Sequence, residues 1–317
     1  MIKKIILMLS FLIIMSLGVC AGLDSNLMSY YKLDENASDW TGNNDGTVVG
    51  ATSGATSGIL NGGYYFDGTD DYINSNFAHD LGDSSNYSIS LWFNTSSFSV
   101  GSNEWLFGAT DDDGVVNPLV AIRNQRGDFE FAVRANVGGD PVNYAASWAG
   151  QSLGLADNDW HFVVATLDRH TDNMSLYVDN SFKASVIIDS SATINYGDEN
   201  NYIGARNNQG SDSDFYTGYL DEVGIWNITL NQSQITTLYN SGTGKQPPFS
   251  ATPPPPPPAN LTNTTLINPA NYSIISNITI PTFNWTRQAP NATNFTYYIE
   301  IFDNATGNLY YNASAGH

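Results

Sequence analysis

The sequence predicts an all-β protein built around a sandwich of short antiparallel strands. Three features carry that expectation. Apolar residues alternate over short segments, clusters of Gly, Asn and Asp separate those segments, and a single short amphipathic stretch follows them. In the alternating segment Tyr87 to Phe93, Ile89, Leu91 and Phe93 fall on one face. His161 to Leu167 is a continuous apolar run, the pattern of a strand buried on both sides. Asp172-Asn173 then turns the chain into Ser175–Val178, which reads as a hairpin. Turn clusters recur at Thr41 to Gly46, Asp67-Gly68, Asp111 to Gly114 and Val137 to Gly139. The helix is predicted near 232–240. Asn231 caps it with Gln234 three residues on, Ile235, Leu238 and Tyr239 form its apolar stripe, and Gly242 lies where it should stop.

Composition bounds the function. The chain has 317 residues, enough for about two domains. Its 18 Tyr, 15 Phe and 7 Trp supply a real core and exclude wholesale disorder. With 11 Lys and Arg against 31 Asp and Glu, the net charge is -20, which argues against a nucleic-acid partner. The content of Asn, Ser, Thr and Gly suits strands and polar turns rather than helices.

Met1 to Ala21 reads as a signal peptide: Lys3-Lys4, an apolar run from Ile5 to Leu17, then Val19-Cys20-Ala21 as the cleavage region. The alternatives are a retained anchor, for which the apolar run is slightly short, and lipidation at Cys20, which Val19 disfavours. Cleavage leaves a secreted or cell-surface chain with no cysteine and no membrane span. Fifteen Asn-x-Ser/Thr triplets, nine of them from Asn260 onward, fit export. Pro253 to Pro258 forms a stiff polyproline spacer. The expected organisation is therefore a signal over 1–21, a sandwich over 22–243, a Pro-rich linker over 244–260 and a partial β-sandwich over 261–317.

Seven segments in order resemble the laminin-G-like, concanavalin A-like lectin/glucanase family over residues 24–243. They are Tyr30 to Glu35 running into Asp39 to Gly46, Tyr65 to Ile73, Ser88 to Phe93, Trp160 to Thr166, Leu176 to Asp179, Gly218 to Asn227, and the helix ending in Leu238-Tyr239. The resemblance implies a two-sheet antiparallel jelly roll with one short C-terminal helix. In the tail, Pro281 to Thr286, with Trp285, and the alternating Phe295 to Phe302 resemble the first half of a fibronectin type III or immunoglobulin-like domain.

The chemistry-bearing residues argue for binding rather than catalysis. Asp128 and Glu130 share a strand face at about 6.6 Å by strand rise, near the spacing of a glycosidase pair. The glucanases of this family carry three alternating carboxylates, and here Phe131-Ala132-Val133 supplies no third. Asp221 and Glu222 are adjacent and should face opposite ways. His161 and His170 have no zinc-type partners, and there is no nucleophile elbow or phosphate loop. Calcium, which takes hard oxygen ligands, suits the turn from Glu35 to Asp45. The family resemblance implies a structural calcium, with Glu35, Asp39, Asn44 and Asp221 fitting its pattern. Acid-rich solvated turns are the alternative. For a ligand, sugar recognition needs aromatic faces beside amides and charges. Trp105, Tyr144, Trp148 and Arg206 lie in Gly- and Asn-rich stretches and are the candidate binding residues, unless they plug the sandwich edge. The expected role is a non-catalytic module for carbohydrate or glycoprotein recognition or adhesion. A glycan-cleaving enzyme and a structural envelope or spike component are the alternatives.

Overall fold

The computed structural model describes residues 22–249, apart from 55, 79–84, 111–118, 195–199 and 208–211, and the strands at 296–302 and 309–316. The signal segment, Cys20, the Asp111 to Gly114 turn, the polyproline run, Phe283 and Trp285 lie outside those residues. The chain divides into two units, 1–252 and 253–317.

After a helical turn at 22–25, the strands of the first unit run in order: β1 (Leu27–Tyr31), β2 (Thr47–Val49), β3 (Thr52–Gly54), β4 (Gly63–Asp67), β5 (Tyr72–Ala78), β6 (Tyr87–Asn94), β7 (Asn103–Thr110) and β8 (Leu119–Gln125). They continue as β9 (Asp128–Val137), β10 (Asp140–Trp148), β11 (His161–Asp168), β12 (Asn173–Val178), β13 (Ser181–Ile187), β14 (Asn200–Ile203) and β15 (Thr217–Trp226), followed by helix α1 (Gln232–Tyr239). Two sheets form. Sheet A has the order β13-β12-β11-β6-β15-β4-β3 with β1 also on β15, and sheet B has the order β10-β9-β8-β7-β14-β5-β2. Every pairing within them is antiparallel.

The alternation expected for β6 is what assembles the core. Ile89, Leu91 and Phe93 point between the sheets with Phe129, Phe131 and Val133 of β9. Burial of such apolar area is the main drive for the sandwich. β11 is buried on both faces: Val163, Ala165 and Leu167 face the inter-sheet core, while Phe162 and Val164 face outward into a second cluster. That second cluster covers the outer side of sheet A. Trp92 and Trp226 of the sheet meet Ile235 and Leu238 of α1 and Phe249. Phe249 is fully buried, with its N–H on Asp24 Oδ1 (2.8 Å), so residues assigned to the linker from sequence pack on the first unit as far as 249.

The helix forms as its sequence expects. The Asn231 side chain accepts the N–H groups of Ser233 and Gln234 (3.0 and 3.1 Å), and Gln234 Oε1 accepts the Asn231 N–H (3.0 Å). It ends earlier than Gly242, at Asn240, whose φ of 47° takes the left-handed conformation that Asn tolerates. Among the described residues, no helix is long and apolar enough to cross a membrane. In the second unit, β16 (Thr296–Phe302) and β17 (Leu309–Gly316) pair antiparallel with Thr296 opposite Gly316.

Candidate functional site

The turn after β1 is organised by one carboxylate. Asp39 is 4 % exposed, and its Oδ1 accepts the N–H groups of Tyr30 (2.8 Å) and Thr41 (3.1 Å). Its Oδ2 accepts the Thr41 hydroxyl (2.5 Å), the Ser29 hydroxyl (3.3 Å) and the N–H groups of Asn43 (3.3 Å) and Asn44 (3.1 Å). Burial alone would push its pKa up, but these hydrogen bonds win and hold it below the ordinary value. The turn is therefore rigid, and it carries Trp40 with its N–H on Tyr30 O (2.8 Å).

Trp40 is 43 % exposed. It stands at a cavity of about 590 Å³ together with Lys32, Asp34, Glu35, Asn36 and Asn61. An exposed indole beside amides, carboxylates and an ammonium offers an apolar ring face next to hydrogen-bonding groups. Trp40 was not among the candidate binding residues read from the sequence. The signal was present, because Trp40 lies in a Gly- and Asn-rich turn like the aromatics that were singled out.

The structure separates those aromatics. Trp105 lies on β7, 1 % exposed, with the guanidinium groups of Arg123 and Arg206 centred 5.5 and 5.6 Å from its ring. Trp105 and Arg206 are thus brought together. Tyr144 and Trp148 lie on β10 and pack against the inter-sheet core instead. Lys183 Nζ sits 4.4 Å from the Trp148 ring, and the Tyr144 hydroxyl oxygen accepts the Asp189 N–H (3.3 Å).

Of the proposed calcium ligands, Asn44 and Asp39 share the turn, and the exposed Glu35 lines the same cavity as Asp39. Asp221 lies on β15, fully buried, where Oδ2 accepts the N–H groups of Ile59 (2.9 Å) and Leu60 (3.2 Å). Among the described residues, the three acidic side chains whose oxygens lie within 4.8 Å of one another are Asp67, Asp70 and Asp71. A cation needs oxygens not already taken by donors. Asp39, ringed by six N–H and O–H groups, does not fit that need.

Asp221 does not fit it either, since Oδ1 also accepts the Glu222 N–H (3.0 Å). The register shifts between Asp221 and Gly224, and Glu222 has a φ of 51°, so β15 carries a bulge there. Leu220 and Val223 both face the inter-sheet core, which leaves Asp221 and Glu222 together on the other side. The expected opposition of these neighbours is thereby overturned, because strict alternation fails at a bulge. Glu222 Oε2 accepts the Tyr30 hydroxyl (2.5 Å), while the buried Oε1 has no partner among the described residues. Burial, and then the charge of Glu222, pushes Asp221 up to about 9. Burial, with Asp34 adding to it, raises Glu222 to about 8 against the Tyr30 hydrogen bond.

Glu130, Asp128 and His161 are engaged structurally. Glu130 is held by Arg123 through Nε (2.8 Å) and Nη2 (2.7 Å), and Asp128 Oδ1 accepts the Gly150 N–H (2.7 Å). His161 sits between Asp179 (2.8 Å) and Asp157 (3.1 Å).

Two packed antiparallel sheets with a capping helix define a concanavalin A-like sandwich. The chain belongs to that family: the family model described as the concanavalin A-like lectin/glucanases superfamily matches residues 67–236. No curated protein matches the chain. Solved structures share the fold at low identity. The binding domain of Paraclostridial Mosquitocidal Protein 1 is 16% identical at a TM-score of 0.52, covering 69% of this chain and 52% of that one. Domain 4 of AbnA, an extracellular arabinanase of Geobacillus stearothermophilus in complex with arabinotriose, is 18% identical at 0.51, covering 69% and 98%. The ligand-binding domain of botulinum neurotoxin serotype D in complex with N-acetylneuraminic acid is 16% identical at 0.53, covering 70% and 52%. The chain spans about half the length of the two toxin domains.

Proposed function

We propose that the chain is a non-catalytic carbohydrate- or glycoprotein-binding module that acts outside the cell, with the Trp40 pocket as its saccharide site. The observation that carries this reading is an exposed indole on a turn locked by Asp39, at the mouth of a cavity with Lys32, Asp34 and Asn61. A preformed aromatic face binds with little ordering cost. The arabinotriose and N-acetylneuraminic acid complexes of two proteins of this fold support the ligand class. The engagement of Glu130 by Arg123 and of Asp128 by Gly150 supports a non-catalytic role. A structural calcium belongs to the same reading; among the described residues, Asp67, Asp70 and Asp71 are the acidic side chains whose oxygens converge enough to share one.

A glycan array probed with the full chain tests the pocket. Trp40→Ala should abolish the signals for neutral oligosaccharides while changing stability by no more than about 1 kcal/mol, since the ring is partly exposed. Unchanged signals in the variant, or no signal from the folded wild type, would remove Trp40 from the ligand site.

A further inference from the structure

Strand pairing on sheet B lines up a row of charged and aromatic residues. Trp105 of β7 pairs with Arg123 of β8, Arg123 with Glu130 of β9, and Glu130 with Ser147 of β10. Cross-strand partners share a face. The side chains next to them along β8 and β9, Ile122 and Phe131, lie in the inter-sheet core, so this row faces outward. Arg134, farther along β9, donates from Nε to Asn143 Oδ1 (2.7 Å). Arg206 follows β14 and places Nη1 3.7 Å from Asp214.

These three arginines act on one another. Arg134 has its pKa lowered by burial and then by the positive charges of Arg206 and Arg123. Asp214 is raised by burial against the pull of Arg206 and Arg123. Half of the six arginines in a chain of net charge -20 thus meet on one face. Their mutual repulsion opposes folding, and Glu130 and Asp214 offset part of it.

Trp105 supplies the support. Its ring lies against Ala121 and over Gly108, where an added Cβ would stand 3.0 Å from the indole and 2.0 Å from Val120 O. The indole is buried, while the side chains of Arg123 and Arg206 are 17% and 30% exposed, so the guanidinium groups are what a ligand meets. Among the described residues, the buried Trp105 Nε1–H has no acceptor, a destabilising arrangement that an added acceptor relieves.

We propose that the outer face of sheet B holds a second binding subsite, selective for saccharides bearing carboxylate or sulfate groups, in which Arg206, Arg123 and Arg134 supply the donors, Trp105 holds the first two in place and Asn143 holds Arg134. A planar guanidinium presents paired N–H groups that match the two oxygens of a carboxylate or sulfate. Resting on an indole, it loses less freedom on binding than a guanidinium in solvent. The subsite stands independently of the Trp40 pocket. The overall charge of -20 repels polyanions, so any that bind do so through local contacts.

Isothermal titration of the full chain with polygalacturonate, heparin, neutral dextran and sodium sulfate tests this. One of the two acidic polymers should bind at least about tenfold more tightly than dextran and weaken as salt rises. Arg206→Gln and Arg134→Gln should each lose about tenfold or more with little change in melting, whereas Trp40→Ala should bind the acidic polymer as wild type does. Arg206→Lys keeps the charge and removes the fork, so it should also lose most of the affinity; full retention overturns the fork. Failure of both acidic polymers to bind, or wild-type binding by both glutamine variants, overturns the subsite. Sodium sulfate binding as tightly per site as the polymers would make it a free-anion site and overturn the saccharide assignment. Loss of neutral-glycan binding in Trp40→Ala with the acidic polymer still bound separates the two sites.

Discussion

The outer face of sheet A is covered by Trp92, Trp226, Phe249 and the apolar stripe of α1, whereas the outer face of sheet B carries Arg123, Glu130, Arg134 and Arg206 around one buried indole. The two faces are made by the same alternation of side chains. They differ in what the chain does next. After β15 it turns back over sheet A, because Asn231 starts a helix whose Ile235 and Leu238 need an apolar surface. No helix covers sheet B among the described residues. One face has become core and the other displays charge.

That contrast can be broken first at Trp226. It is fully buried, packs edge-on to Tyr30 at 6.4 Å and donates Nε1–H to Leu23 O (3.0 Å). Trp226→Ala should destabilise by about 3–5 kcal/mol in urea denaturation, through the lost contacts and the cavity left behind. A change below about 1 kcal/mol would mean that the covering of sheet A contributes little.

The bulge beneath that covering gives the next largest effect. Asp221 titrates near 3.8 when unperturbed and is raised to about 9 in the fold. The folded state therefore holds more protons than the unfolded chain between those values, and stability falls as pH rises through that window. Glu222, raised to about 8, acts in the same sense. His161 adds a smaller fall: burial opposes its charge, but the hydrogen bonds to Asp179 and Asp157 win and raise it, so its contribution is present at low pH and lost as pH rises. In excess chelator, the melting temperature should drop by on the order of 5 °C between pH 5 and pH 8. Melting that rises with pH across that window counts against this account.

Asn231→Ala is the mildest way to loosen the covering of sheet A. Losing the side-chain half of the capping box should cost about 1 kcal/mol and increase amide exchange in α1. Binding of acidic polymer on sheet B should stay at the wild-type level, since none of the groups involved touches the helix. A parallel loss of that binding would show that the two faces are coupled.

Much of this was legible in the residues. Alternation in Tyr87 to Phe93, the continuous run of β11, the β11–β12 hairpin and the Asn231–Gln234 cap each rest on neighbours in sequence, where steric period and hydrogen-bond reach are local. The candidate sites were legible only in part. Trp105 and Arg206 were singled out and do meet, but Tyr144 and Trp148 turn toward the core, because alternation says which residues share a face without saying which face is covered. The bulge at Asp221 and Glu222 reverses the pointing rule through the φ of one residue, a choice set by pairing with β6 on one side and β4 on the other. Arg123, Arg134 and Arg206 come from separate strands and loops, and only the order of strands in sheet B places them together. The sequence by itself determined the strands, the helix and the family, because those depend on local period and on motifs in series. The tertiary structure alone decided which face is sealed, which acids are buried as a pair and which charges converge, because those depend on contacts between segments far apart in the chain.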